Sequence, residues 1–525
     1  MHDVIIVGSG PAGTAAALQL AGGNVLLLDV GFTPPKVADN FCGDLYDLRK
    51  KQLDLFPSLV GDNFESLANL FANRKINLKL KSPYMRYIIR DWKKLSRIDS
   101  NTFEGVISLA KGGLANAWGA GVFRFTDEDL KEFPVSYAEL EPYYDELTAH
   151  VGISGTNDDL TPWFQRDEGL LPPIRLCGMA AELMDRYKAV REIFNAEGVF
   201  MGLARLAVLT VEHRGRAPYA YEHMEFFRPE IEAIYTPAFT LDELVREGRV
   251  DYRPGWLVER FEEIEGGVQV CARSVNGGET RFFKARKLLL GAGALNTSRI
   301  VLASAKDTMT RLPIMDNPMS CFPVFRLDRL GCALEPEDAS VGQLNIIYQG
   351  VEGEGTVQGS FYGTNGPLRS DVIFDLPFPA GAVRTILKNT ASATALIMLF
   401  YPGVVHPGNF LRLKNTGALG IEYESEPHTP VLETKLIRMM RKVGYYSHSA
   451  LLQYPPMGTG LHYAGMLPMH ENPEQYQCYP DGRLLGANNV HIIDGACFSA
   501  LPAKNITFTI MANAMRIASI ATGEG

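Results

Sequence analysis

Apolar residues run unbroken in short stretches that stop at turn residues. These are Val4 to Val7 before Gly8, Val25 to Leu28 before Asp29 and Leu288 to Leu290 before Gly291, and Val490 to Ile493, interrupted only by His491, stops in the same way at Asp494-Gly495. Runs of this length read as strands buried on both faces of an α/β sheet. The Ala-rich segment Thr14 to Leu20 has helical composition, and Phe508 to Ala521 predicts a closing helix. Ser136, with Glu139 three residues on, predicts a capping box and a helix that ends at His150 to Gly155. Val250 to Arg253, Val258 to Phe261, Gly267 to Ala272 and Thr280 to Phe283 alternate with turn signals such as Asn276-Gly277-Gly278, which predicts a small antiparallel meander. From about Pro313 to Glu424 the texture changes to alternating segments, Gln343 to Gln349, Asp371 to Asp375 and Phe410 to Leu413, suited to an antiparallel sheet that walls a substrate cavity. Within it Ala393 to Tyr401 is strongly apolar and reads as a buried strand, with a greasy-substrate lining or an interfacial patch as alternatives. Phe32 to about Phe103 reads as a connection with some helix around Asn63 to Asn73.

The first strand leads into Gly8-Ser9-Gly10-Pro11-Ala12-Gly13, a G-x-G-x-x-G turn with a helix behind it. Gly8 permits the sharp turn, Gly10 lets backbone approach a pyrophosphate, and Gly13 lets helix pack tightly on strand. The phosphates would sit on the free N–H groups of the helix N-terminus. Asp29, at the end of the second strand, lies where a dinucleotide fold places the carboxylate that accepts from a ribose. A dinucleotide is therefore expected, and the motif does not say which one.

Composition narrows the classes. At 525 residues the chain exceeds the size at which a single core keeps growing, so two domains or one elaborated α/β domain are expected. A net charge of −9 argues against nucleic acid as a partner. The seven cysteines include no C-x-x-C pair, so neither a disulfide framework nor a zinc site is expected, and no metal is assigned. The first strand starts at about the third residue, which leaves no room for a signal peptide, and a cytoplasmic location is expected. No apolar run reaches the roughly 20 residues of a transmembrane segment.

Chemistry gathers in two further places. Gly112-Gly113-Leu114-Ala115-Asn116-Ala117-Trp118-Gly119-Ala120-Gly121 holds too many glycines for a regular helix and suits backbone pressed against a ligand. Near the C-terminus come His462-Tyr463-Ala464-Gly465, Asp494-Gly495, and Asn505-Ile506-Thr507 ahead of the closing helix. In order and spacing these blocks, with Phe133-Pro134 to Tyr144 and Ala292-Gly293-Ala294-Leu295, resemble the glucose–methanol–choline family of flavin oxidoreductases, which includes cholesterol oxidase and pyranose oxidase.

That resemblance implies an α/β fold, with a Rossmann-like FAD-binding domain and a substrate domain built on an antiparallel sheet. The FAD-binding domain is expected over 1–135, 200–312 and 450–525, and the substrate domain over 136–199 and 313–449. Gly8, Gly10, Gly13 and Asp29 would hold the ADP half of FAD, and Val258 would offer backbone groups to the adenine. Gly112, Gly113 and Asn116 would lie near the flavin ring, and Asp494, Gly495, Ile506 and Thr507 along the ribityl chain and pyrimidine edge. His462 matches the active-site histidine and Asn505 its partner. A neutral imidazole suits removal of an alcohol proton as hydride leaves for flavin N5, while an Asn amide can donate to the developing alkoxide.

Two departures stand out: Met466 where the family has Thr after His-x-x-Gly, and Ile506 where it has Pro after Asn. Ala117 occupies the position of a flavin-attaching His in some relatives, so noncovalent FAD is expected. The substrate would be a small-molecule alcohol and the electron acceptor oxygen, a quinone or another redox protein. An FAD-containing lyase or a non-redox flavoprotein on the same scaffold are the alternatives. A pyridine-nucleotide disulfide reductase would need a second fingerprint and a redox C-x-x-C, which the sequence lacks.

Overall fold

Strand β1 (His2–Val7), helix α1 (Pro11–Gln19) and strand β2 (Val25–Leu28) build the expected opening unit. Along the chain follow α2 (Tyr137–Val151), β3 (Val199–Leu203), β4 (Asp251–Arg253), β5 (Trp256–Ile264), β6 (Gly267–Ser274), β7 (Thr280–Leu290) and α3 (Ala294–Ala305). The C-terminal half adds β8 (Met319–Phe325), β9 (Gly342–Gln349), β10 (Thr356–Gly363), β11 (Thr394–Phe400), β12 (Val490–Ile492) and α4 (Thr507–Thr522). The structure is a computed structural model that describes residues 1–20, 22–34, 78–81, 83–221, 228–333, 341–350, 355–363, 379–424 and 430–523. The helix expected around Asn63 to Asn73 and the strand expected at Asp371 to Asp375 lie outside the described residues.

A seven-stranded sheet runs in the order β4-β2-β1-β7-β6-β5, with β12 also pairing β7. Strand β1 is parallel to β2 and β7, and β12 is parallel to β7. The segments Thr280 to Phe283 and Lys287 to Leu290, which read as two elements, form one strand. Its first half pairs antiparallel with β6, Thr280 against Arg273 and Ala285 against Val268. Its second half pairs parallel with β1, Ala285 against His2 and Leu290 against Val7. One strand thereby joins the meander to the parallel layer. The carboxyl ends of β1, β7 and β12 come together, which is where open α/β sheets hold ligands.

Backbone meets backbone at those ends. Gly8 has φ +94, and a Cβ there would lie 2.5 Å from the Gly291 carbonyl oxygen. A Cβ on Gly13 would lie 1.8 Å from the Gly8 oxygen. Helix α1 is small and apolar on every side, with Ala12, Ala15, Ala16 and Ala17 buried, because the sheet and α4 cover it. Helix α2 begins at the expected Ser136–Glu139 capping box and also packs on α4, with Tyr144 stacked on Phe508 at 5.3 Å.

The second sheet is antiparallel in the order β8-β11-β10-β9-β3. Helices Gly178–Ala196 and Val431–Lys442 supply Leu183, Tyr187, Leu436 and Met440 to a core with Phe322, Ile346, Phe361 and Ile397. Strand β11 serves two surroundings: Ala395, Ile397 and Leu399 enter that core, while Leu396, Met398 and Phe400 face a cavity. The apolar Ala393 to Tyr401 stretch is thus both buried strand and cavity lining. Phe410–Leu413, read as part of the same sheet, pairs instead with Leu419–Glu422 and Leu312–Pro313 in a separate four-stranded sheet. Among the described residues no helix is long and apolar enough to cross a membrane.

Gly13→Ala is expected to destabilise the protein by at least about 3 kcal/mol, because neither α1 nor the Gly8 turn can move independently. Gly10→Ala, whose Cβ would stand 3.9 Å from its nearest neighbour, Gly113 Cα, is expected to cost under about 0.5 kcal/mol. Denaturant unfolding of the two variants checks this, and equal midpoints would contradict it.

Candidate active site

A cavity of about 350 Å³ extends from the glycine turns to His462. Gly8 and Gly10 line its start with Asp29, and Gly113 lies over Gly10, where a Cβ would come within 3.0 Å of Gly10 Cα. Asp494, Gly495, Ile506 and Thr507 continue the wall, and His462 and Asn505 complete it. The remaining expected residues stand behind this surface. Gly13 is occupied in packing α1 on the turn. Gly112 donates its N–H to Ser9 Oγ at 3.2 Å. Asn116 braces its own loop, donating to the carbonyls of Lys111 at 2.9 Å and Gly113 at 2.8 Å. Val258 is buried in β5, where its carbonyl accepts from Arg299 at 3.4 Å, and it is absent from the cavity wall.

Two side chains hold the glycine turns in place. Ser9 donates to Asp29 while accepting from Gly112, so one hydroxyl links the first turn, the second strand and the Gly-rich loop. Burial pushes the Asp29 carboxyl up to about 7, although the hydroxyls of Ser9 and Tyr252 and the N–H groups of Val30 and Gly31 work against that rise. Asp494 accepts from Thr297 Oγ1 at 2.6 Å and from the Ala496 N–H at 3.0 Å, which ties the end of β12 to the start of α3. Burial lifts its carboxyl to about 6.

The geometry around His462 fixes its protonation. Asn317 donates from Nδ2 to the carbonyls of Tyr401 at 2.8 Å and Pro502 at 3.0 Å, which can only accept. Its Oδ1 therefore faces His462 Nδ1, at 3.0 Å, and must accept from it. The proton sits on Nδ1, and Nε2 is left with a lone pair. Burial lowers the imidazole to about 4, so the ring is neutral at physiological pH. Phe400 lies against it, with ring centroids 5.2 Å apart and the ring planes tilted by 33°.

Asp316 reinforces the arrangement from behind. It is 1% exposed and accepts from the backbone N–H groups of Gly458, Asn317 and His462, clasping both ends of the segment that carries the imidazole. Burial raises its carboxyl to about 7. Asn505 lines the cavity, and its buried Oδ1 has no partner among the described residues. Gly121 makes room for it, since a Cβ there would meet Asn505 Nδ2 at 2.6 Å. Two residues before Ile506, Lys504 is buried and donates to Asp129 and to the Trp163 carbonyl, which anchors this turn.

Ser9, Thr297, Asp316, Asn317 and Tyr362 belong to the site and were not singled out from sequence. Ser9 lies inside the fingerprint. The others act over separations such as the 145 residues between Asn317 and His462, which leave no local pattern.

No protein-family model matches the chain. Pyridoxine 4-oxidase from Mesorbium loti superposes with a TM-score of 0.59 at 13% identity, covering 99% of each chain. A variant of formate oxidase from Aspergillus oryzae RIB40 gives 0.57 at 13% identity, covering 100% of this chain and 98% of that one. In sequence, the fructose dehydrogenase large subunit of Gluconobacter japonicus is 28% identical over 174 residues, a match spanning 30% of this chain and 29% of that protein. The chain thus has the glucose–methanol–choline oxidoreductase fold, the one its motifs resemble.

Histidine-selective ¹⁵N NMR, with His462→Gln for assignment, is expected to show His462 neutral and protonated at Nδ1, titrating near pH 4. The folded pKa lies below the unfolded value of about 6.5, so this residue's contribution to stability is complete above 6.5 and is lost as pH falls toward 4. A midpoint at or above 6.5 would contradict the assignment.

Proposed function

We propose that the protein is an FAD-dependent oxidoreductase that oxidises an alcohol to an aldehyde or ketone. The observation that carries this reading is the committed Nδ1–H of His462, which leaves the lone pair on Nε2 of a ring that lines a cavity ending at two adjoining glycine turns. The residues present fit the cofactor. Gly10 and Gly293 form a cradle that side chains would fill: a Cβ on Gly293 meets nothing within 4 Å, and both glycines line the cavity. Helix α1 starts at Gly10 without a side-chain cap, so its first N–H groups are available to phosphate oxygens. Asp29 would accept from the ribose. Ala117 offers no nucleophile to a flavin, in keeping with noncovalent binding.

FAD, when bound, supplies a hydride acceptor at N5. His462 Nε2 accepts the hydroxyl proton of the alcohol, and the charge gained by the ring is shared through Nδ1–H with Asn317. Asn505 donates from its amide to the substrate oxygen as negative charge grows there, without titrating itself. Asp316 and Asn317 hold the imidazole so that the proton transfer costs little reorganisation. The relatives act in their own names on pyridoxine, formate and fructose, which supports oxidation of a small molecule. Oxygen, a quinone or another redox protein would take the electrons onward.

His462→Ala is expected to keep its FAD and to slow anaerobic bleaching of the flavin by an alcohol by about 10² to 10⁴. Asn505→Ala is expected to slow it by about 10² to 10³. Stopped-flow absorbance against a panel of alcohols measures both. Purified protein without flavin after reconstitution, or flavin that dithionite reduces and no alcohol does, would overturn the reading.

A further inference from the structure

The part of the cavity next to His462 differs in chemistry from the part next to the glycine turns. Strand β11 presents Leu396, Met398 and Phe400 on one face, in the period of two that a strand imposes, and Phe400 lies against the catalytic ring. Leu461, immediately before His462, adds another apolar side chain and holds φ at +63, a strained conformation for a leucine. Trp118 closes another side. Its indole N–H is already spent on the Tyr235 carbonyl at 2.9 Å, so what it offers the cavity is ring.

Polar groups are sparse at this end. Among the described lining residues the carboxylates are Asp29 and Asp494, both in the stretch assigned to FAD, and the one cation, Lys79, donates to the Trp118 carbonyl at 2.9 Å. Tyr362, beside Leu396 on the neighbouring strand, contributes a hydroxyl that is bonded to Ser360. Ser360 belongs in turn to a buried network with Asn345 and Gln358. The Tyr463 hydroxyl, next to His462, donates to the Gly458 carbonyl at 2.7 Å, so beyond His462 and Asn505 the wall here offers Lys79 and two hydroxyls, all already engaged, and a surface of hydrocarbon and sulfur.

Resting on the reading above, we infer that the substrate is an uncharged alcohol whose carbinol carbon carries an apolar aryl or alkyl body, packed against Leu396, Met398 and Phe400. A sugar is the wrong occupant. It presents a hydroxyl on nearly every carbon, and each one buried against this wall would exchange water for carbon or sulfur. An apolar pocket discriminates against a single added hydroxyl by about 10², and a sugar adds several. The relative named for fructose is matched over only 29% of its length, so it does not bear on this wall as a whole.

The test separates binding from turnover. 2-Phenylpropan-2-ol has a hydroxyl and an aryl body but no hydrogen on its carbinol carbon, so it can occupy the site without being oxidised. Calorimetric titration of the FAD-loaded protein is expected to show it binding, with fructose and glucose at least about 10² weaker. Leu396→Asn is expected to weaken that binding about tenfold while leaving FAD content and dithionite reduction unchanged, and Met398→Ala serves as the second variant. In anaerobic reduction, benzyl alcohol is expected to exceed fructose by at least about 10² in efficiency. Sugar binding or sugar reduction as strong as that of the aryl alcohols overturns the inference and leaves alcohol oxidation standing. Aryl-alcohol binding that responds to Leu396→Asn, with no alcohol reducing the flavin, supports the apolar site and overturns oxidation instead.

Discussion

The close approach of Gly8 to Gly291 is the constraint from which the rest of the molecule follows. Two strands that run parallel, β1 and β7, end in turns whose backbones touch, and no side chain larger than hydrogen fits at Gly8 or Gly13. That contact draws α1, whose first turn carries no side-chain cap, down onto the sheet. It also aligns the end of β12, so that Asp494 can reach Thr297. The opening through which phosphates would approach is therefore a product of steric exclusion. Ser9 then joins the turn to both Asp29 and the Gly-rich loop, so the same small contact governs the loop that bears Trp118.

At the far end of the cavity the controlling interaction is a hydrogen bond. Asn317 ties His462 to the carbonyl of Pro502, three residues before Asn505, so His462 and Asn505 share one support. Burial alone would leave a neutral imidazole with either tautomer available. Asn317 selects one of them, because its own amide has no freedom to flip. Asp316 adds a clasp on the backbone, and the elevated carboxyl of this buried group is the cost of placing it there. Stability has been given up locally to hold the ring still.

Much of the first unit was legible in sequence because its rules are local. Strand, glycine turn, helix and Asp29 follow one another within thirty residues, and each choice has a steric or electrostatic reason that a short window reveals. The capping box at Ser136 and the buried strand at Leu288 to Leu290 were legible for the same reason. The fusion of that strand with Thr280 to Phe283 was not, since the alternation that marks the meander and the continuous apolar run that marks the parallel layer sit on one strand. Asn317, Asp316 and Tyr362 were illegible, because their meaning lies in partners far away along the chain. Asn116 was visible but ambiguous: an amide in a glycine loop can face a ligand or brace the loop, and its bonds to the Lys111 and Gly113 carbonyls show that it braces.

In the proposed reaction His462 Nε2 accepts the hydroxyl proton while the carbinol hydrogen leaves as hydride. The most direct measurement is the rate of anaerobic flavin bleaching by an alcohol carrying deuterium on its carbinol carbon, followed across pH. Bleaching is expected to be several-fold slower than with the protiated alcohol, at a rate that holds constant as pH falls from neutrality and declines only near the imidazole's value of about 4. Bleaching indifferent to deuterium on carbon, or a rate that already declines around pH 6.5 in step with an ordinary histidine, would contradict that reaction.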